Sequence, residues 1–546
     1  MFMIITIFNS DDCCRCVNSM LGRVSEAMIN IRKKVDVVDV LILENNNIPH
    51  LPSRAFGSVK VNRLFLENNR VQTIDRNAFA GVEDYLTEIF IKEPELKQLP
   101  RDSIDFLKQL TIFSIDSSQI SEMPTVVGLP NLKLFKIDGS NITDIPAHSL
   151  QRLPGLRYLH VANGHLRRLD VGVLENLPYL VLANFTGNEI SWIHPRAFRY
   201  MTQMEELVLA GNNIRDAVMV GQAVKVIKTI KKLDLSDNEI DKVRDDSFMD
   251  IISLEELSLA GNHLALLQRD AFHRLPRLRK VDLSNNEIRT FHSEAFSGTP
   301  LVEELKLDNN RITRVTDVSF MIDTLPYLRF LDLSSNLLDD IPYGAMRGYP
   351  ALEKLYLADN QIRDISQDAF QDLPSLTELI LSKNKLTSRS IDGQVFNLPN
   401  LKTLDVSFNK LSKITRRLLD SLSSLKRLDL AVNGIVEMED GSLQMTRNVE
   451  YLNISYNNLR EISPAMFQGL TKLFELDLSN NELVTLSDDT FADQRDLEFV
   501  NLSHNQIQLV SSTLFPTSNR SVSVYNISGN IENNEKIQQY PSPSML

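Results

Sequence analysis

The sequence predicts an α/β solenoid: one curved repeat array with a parallel sheet on its inner, concave side and short irregular or 3-10 segments on its convex side. Three observations predict it. Leu233-x-Leu235-x-x-Asn238-x-Ile240 returns as Leu257-x-Leu259-x-x-Asn262-x-Leu264, then as Val281-x-Leu283-x-x-Asn286-x-Ile288 and Leu305-x-Leu307-x-x-Asn310-x-Ile312. The asparagine of that pattern recurs at 46, 69, 188, 212, 238, 262, 286, 310, 336, 360, 384, 409, 433, 457, 481, 505 and 530, about every 24 residues. Ten residues after it a phenylalanine often stands, as in Phe56, Phe79, Phe198, Phe248, Phe272, Phe296, Phe320, Phe370, Phe467, Phe491 and Phe515.

Each column has a physical reason. Leucines two apart share one face of a short strand and point inward, so the residues between them face solvent on the concave side. After the strand the chain must turn inside the structure, which leaves backbone groups away from water. An Asn side chain donates and accepts there, so Asn46, Asn69, Asn188, Asn212, Asn238, Asn262, Asn286, Asn310, Asn336, Asn360, Asn384, Asn409, Asn433, Asn457, Asn481 and Asn505 are expected to stack as a ladder. Pro94, Ser118, Ser140 and Gly164 fill the same register; the serines can do part of this work, the other two cannot. The phenylalanines, with apolar residues such as Leu51, Ile74, Ile193, Leu267 and Ile462, fill the core under the convex side.

The chain thus resembles leucine-rich repeat proteins over nearly its whole length. Its 24-residue unit with the Phe column is similar to the typical subtype found mostly in extracellular proteins, and the long array looks like invertebrate chaoptin- or artichoke-type proteins. That resemblance implies adhesion or matrix organisation.

Residues 1–37 read as an N-terminal segment, 38–532 as the solenoid of about 21 units, and 533–546 as a polar tail. Met1 to Phe8 has the length of a weak or truncated signal-peptide core, without a basic residue before it. All three cysteines lie in Cys13-Cys14-Arg15-Cys16. Cys14-Arg15-Cys16 resembles the cysteine cap of extracellular family members, here incomplete; the Cys13-x-x-Cys16 spacing alternatively reads as a redox or metal site. The absence of a C-terminal cysteine cap leads us to expect a partial chain whose anchor or further repeats lie elsewhere. Residues 94–164 are the least regular, read as repeat drift or as a change of curvature. Extra residues in the units ending at Asn238, Asn336 and Asn409 are expected to bulge as surface loops.

Catalytic anchors are missing. The 20 glycines form no phosphate loop and no nucleophile elbow, and there is no HExxH. No cofactor or metal is expected. His160 and His165 lack carboxylate support in the sequence, and the Leu-Asp-Leu aspartates (Asp234, Asp282, Asp332, Asp429, Asp477) read as exposed polar residues of the concave strands, with cation binding along them as the alternative. A net charge of −13 argues against nucleic acid as a partner, and no apolar run is long enough to encode membrane attachment.

What remains is a recognition surface. At the central outward position the first units carry Ile42, Phe65 and Phe90 side by side, bordered by Glu44, Glu67, Lys92 and Arg63. Phe330, Tyr356, Ile380 and Phe408 mark a second, diagonal apolar track, with Tyr356 and Ile380 at its centre. Sequons at Asn141, Asn184, Asn453, Asn501, Asn519 and Asn526 are about as many as chance supplies in so Asn-rich a chain. The expected function is non-catalytic protein recognition at the cell surface or in extracellular matrix, by homophilic contact or with a secreted or cell-surface ligand. The alternative is the ligand-binding ectodomain of a receptor. Turnover dependent on His160 would be needed to revive an enzyme.

Overall fold

The computed structural model describes residues 5–8, 13–17, 24–508, 514 and 524–530, with short interruptions at 58, 101, 148, 175–176, 316–324, 347–348, 371–372 and 394. Phe320, Phe515, Asn519, residues 1–4 and the tail 533–546 lie outside the described residues. The chain forms two compact units, residues 1–264 with 270–278, and 265–269 with 279–546.

Both units are parallel β-solenoids. In the first, strands Val37–Glu44 and Lys60–Glu67 have eight residues. Glu88–Lys92, Ile112–Asp116, Leu134–Asp138 and Tyr158–Ala162 have five. Leu182–Asn184, Glu206–Val208, Lys232–Asp234 and Glu256–Ser258 have three. Each pairs in parallel with the next, so that Leu41, Leu64, Ile89, Phe113, Phe135, Leu159, Ala183, Leu207, Leu233 and Leu257 form one buried row. In the second unit three-residue strands run from Lys280–Asp282 to Val524–Asn526, and Val281, Leu305, Leu331, Leu355, Leu379, Leu404, Leu428, Leu452, Leu476 and Val500 make the equivalent row. The described members of the Phe column are buried on the return side, where Phe56 and Phe79 stack with centroids 6.0 Å apart.

The turn after each strand is a two-residue device. Asn360 shows it: Nδ2 donates to the carbonyls of Leu333 (2.9 Å), Leu357 (3.2 Å) and Ala358 (3.1 Å), and Oδ1 accepts from the Leu338 amide at 3.0 Å. Asn212 in the first unit binds Phe185, Leu209, Ala210 and the Ile190 amide in the same way. The residue before the ladder asparagine is left-handed, from Asn45 (φ 54°) to Asn480 (φ 55°), which explains why Asn, Asp and Gly dominate there.

The early units depart from this scheme, and correct the expected register. Glu93, not Pro94, fills the ladder position: its buried carboxylate accepts from Asn69 Nδ2 (2.7 Å) and from the amides of Asn69 and Val71. Ser117, not Ser118, is the buried serine, donating to the Leu96 carbonyl at 2.8 Å, while Ser118 is exposed. Asn46 in turn donates to Asn69 Oδ1 at 2.8 Å and to the Cys16 carbonyl at 3.0 Å.

The extra residues before Asn238 form a helix rather than a loop. Ala217–Val224 is capped by Asp216, which accepts from the Val218 amide, and it buries Ala217, Val220, Gly221, Ala223 and Val224. Gly221 is required: a Cβ there would lie 1.7 Å from the Ser247 carbonyl oxygen. The insertion before Asn336 falls on undescribed residues. At the other end of the first unit, Cys13–Val17 runs parallel to Val37–Glu44 and antiparallel to Ile5–Phe8. Cys16 is buried, and burial, then the neighbouring Cys14, pushes its thiol up to about 11.

Two stability outcomes follow from these contacts. Asn360→Ala is expected to cost about 1–3 kcal/mol in denaturant unfolding, whereas Ser118→Ala, at an exposed hydroxyl, leaves the midpoint in place. Gly221→Ala is expected to cost about 1–3 kcal/mol by forcing the helix off the Ser247 backbone, and a wild-type midpoint would show that the helix is not packed there.

Candidate functional site

The outward positions of the strands define an open face in each unit. In the first, Ile42, Phe65 and Phe90 stand in register on adjacent strands. Phe65 and Phe90 stack face to face, centroids 4.5 Å apart and planes 8° from parallel. All three are half-buried. Ion pairs frame them: Arg15 with Glu44, Arg63 with Asp39, and Lys92 with Glu67 at 2.9 Å. The apolar surface does not stop at Phe90. It steps to the outward position two residues earlier, where Ile112, Leu134, Tyr158 and Leu182 lie in register on four successive strands, Tyr158 being 43% exposed. Following only one column in the sequence missed this continuation; scanning the preceding outward position finds it.

In the second unit Tyr356 and Ile380 are register neighbours and Phe330 meets Tyr356 edge-on at 5.1 Å. Tyr356 Oη donates to Glu378 at 2.7 Å. Phe408 does not belong to that track: it lies beyond the strand Thr403–Asp405, in the following turn, with φ 52°.

The aspartates of the open face, expected as exposed polar residues, are half-buried and tied to the backbone. Oδ1 of Asp234, Asp282, Asp332, Asp405, Asp429 and Asp477 each accepts the amide two residues on, at 2.8–3.0 Å. They lock the strand into its turn. Burial, reinforced by neighbouring carboxylates, pushes Asp308 and Asp429 above the usual carboxylate range. Asn453 and Asn501 belong to the same column, donating to Asp429 and Asp477 at 3.1 Å, whereas sequon residues Asn141 and Asn526 are exposed. Asn184 accepts the Thr186 amide at 2.8 Å.

His160 faces the open side beside Lys136, and burial followed by that ammonium holds its pKa down. His165 instead bonds Glu189 at 2.7 Å. Among the described residues no group of three His, Cys, Asp or Glu side chains is set to hold a metal, and no helix is long and apolar enough to cross a membrane.

A parallel β-solenoid with asparagine-tied turns and a side-chain-bearing open face is a repeat scaffold. The leucine rich repeat pattern matches segments of the chain from 154 to 507, more than half of it, and a BspA type leucine rich repeat region matches 39–153. The chain belongs to the leucine-rich repeat family. It is 33% identical over 263 residues to lumican of Gallus gallus, covering 48% of this chain and 60% of lumican. It is 29% identical over 234 residues to podocan-like protein 1 of Mus musculus, covering 38% of this chain and 41% of that protein. The chain therefore spans about half the length of the curated relatives it matches. Among solved structures, Toll in the Toll–Spatzle complex of Drosophila superposes over 92% of this chain and 62% of its own, with TM-score 0.63 at 19% identity. A leucine-rich repeat protein of Leptospira interrogans covers 74% of this chain and 93% of its own, with TM-score 0.57 at 22% identity. These two likenesses show the fold.

Proposed function

We propose that the protein is a non-catalytic recognition scaffold at the cell surface or in extracellular matrix, acting in adhesion or matrix organisation through the open face of its first unit. The stacked Phe65–Phe90 pair carries this reading. A sheet that sets two stacked, half-buried phenylalanines at outward positions, extends them with Ile112, Leu134, Tyr158 and Leu182, and rings them with ion pairs has the apolar centre and polar rim of a protein interface. The strands hold these groups rigidly, so little conformational entropy is lost on binding. The sequence likeness to lumican and podocan-like protein 1 supports the extracellular placement, and the Phe-bearing repeat of about 24 residues supports the typical subtype and the chaoptin- or artichoke-like comparison. Toll, another bearer of the fold, has been solved with Spatzle; that likeness carries the fold and nothing of the ligand.

Beads coated with the protein are expected to aggregate, and Phe65→Ala and Phe90→Ala each to weaken the contact by about 1–2 kcal/mol with folding intact. Beads that stay dispersed while the protein binds cells through the same two rings would favour the receptor-ectodomain reading. Lower unfolding midpoints with binding spared would make the rings core residues and sink the assignment.

A further inference from the structure

An asparagine followed by glycine is chemically labile, because no side chain on the glycine keeps its backbone nitrogen from the asparagine Cγ. The sequence holds two such pairs, Asn163-Gly164 and Asn433-Gly434. The fold treats them oppositely. Asn433 is a ladder residue: Nδ2 donates to the carbonyls of Val406, Leu430 and Ala431, each at 3.1 Å, and Oδ1 accepts from the Leu411 amide at 3.0 Å. The Gly434 amide donates to the Leu411 carbonyl at 2.9 Å. Both groups that would have to meet are tied down.

Asn163 stands in a turn that lacks its ladder side chain, since Gly164 occupies that position. Packing imposes the glycine: a Cβ there would lie 2.8 Å from the Ser140 carbonyl oxygen and 3.1 Å from Asn188 Oδ1. Among the described residues none accepts from the Gly164 amide and none donates to the Asn163 carbonyl, so the peptide joining them carries no hydrogen bond. Asn163 is exposed and left-handed (φ 52°), and Gly164 is half-buried. The carboxamide is held by one surface contact, Nδ2 donating to Asp138 Oδ1 at 2.8 Å. Asp138 in turn pairs with Lys136 at 2.7 Å. Freeing this side chain takes one exposed hydrogen bond, whereas freeing Asn433 takes four inside the ladder.

We propose that Asn163 is a self-modification site, which deamidates in water through a succinimide to aspartate and isoaspartate and so sets a new carboxylate beside Asp138. The Gly164 nitrogen gives its proton to hydroxide and bonds to Asn163 Cγ. The Cγ–Nδ2 bond breaks, and Nδ2 leaves as ammonia after taking up a proton from water. Water then opens the imide, at the Cγ carbonyl to give aspartate or at the main-chain carbonyl to give isoaspartate. Each conversion consumes a water and releases an ammonia. The group that donated to Asp138 becomes an anion competing with it for Lys136, which shares a strand with Leu134 and stands in register with His160. The charge change therefore falls within the open face of the first unit, and it is one-way. It does not rest on the recognition reading.

The test incubates the full folded chain at mildly alkaline pH, samples it over time, and reads by mass spectrometry the amide-to-acid conversion in peptides spanning each pair. Asn163 is expected to convert at least about tenfold faster than Asn433, whose ladder contacts must open first. Unfolding the same chain in urea removes that protection, so both sites are expected to convert as fast as short synthetic peptides of their sequence. An isoaspartyl methyltransferase added as a probe is expected to label the aged folded protein, and to label the Asn163→Ser variant far less. Asn163 staying intact in the folded chain while it converts in urea would overturn the proposal. So would Asn433 converting as fast as Asn163 in the folded chain, a ratio between the two that urea leaves unchanged, or undiminished labelling of Asn163→Ser.

Discussion

Everything in both units depends on how the chain turns inward after each strand without stranding its backbone groups. A reversal buried in the core costs on the order of 1–3 kcal/mol for each unsatisfied amide or carbonyl. One asparagine answers three carbonyls and one amide, two of those four partners being in the preceding unit, as Asn360 does with Leu333 and Leu338. The geometry that aims its side chain needs a left-handed residue immediately before it. Ladder asparagine and left-handed neighbour are thus one device. Repeated, it sets the strand register, which sets the leucine rows and fixes which side chains face out.

Where the device changes, the architecture changes with it. Glu93 can only accept while it is ionised, so Asn69 must donate both forward to Glu93 and back to the Leu43 carbonyl. Burial pushes the Glu93 carboxyl up, and the Asn69 side chain and the amides of Asn69 and Val71 pull it back. In the same stretch the strands have five to eight residues instead of three, so backbone pairing carries more of the cohesion. The two family patterns divide one strand earlier than the strands shorten, one matching 39–153 and the other beginning at 154, ahead of the five-residue strand Tyr158–Ala162. Irregularity in the early units is therefore a second way of closing the same turn.

Legibility in the sequence follows what kind of fact each feature is. The leucine rows and asparagines from Asn188 on are readable because identity and period coincide there. Glu93 was hidden by a one-residue shift, since counting from the strand centre points to Pro94 and only the hydrogen bonds reveal the shorter path. The helix Ala217–Val224 was read as a loop because its cap and its packing against Ser247 are tertiary facts. The aspartate locks depend on the direction of an amide two residues on, which composition does not encode. Phe65 and Phe90 could be placed on the outer face, whereas their 4.5 Å stacking could not.

The open face separates residues the fold consumes from residues it leaves over. Aspartates such as Asp332 are engaged by backbone amides, and Lys92 and Arg63 by carboxylates on neighbouring strands. Such groups are costly to recruit for a partner, because a new contact must replace an existing one. Phe65, Phe90, Ile112 and Leu134 have no comparable polar engagement, and exposing them gains the solenoid less than burying them would. Specificity in a scaffold of this kind is written where side chains answer to something other than the turn, the row or the ladder.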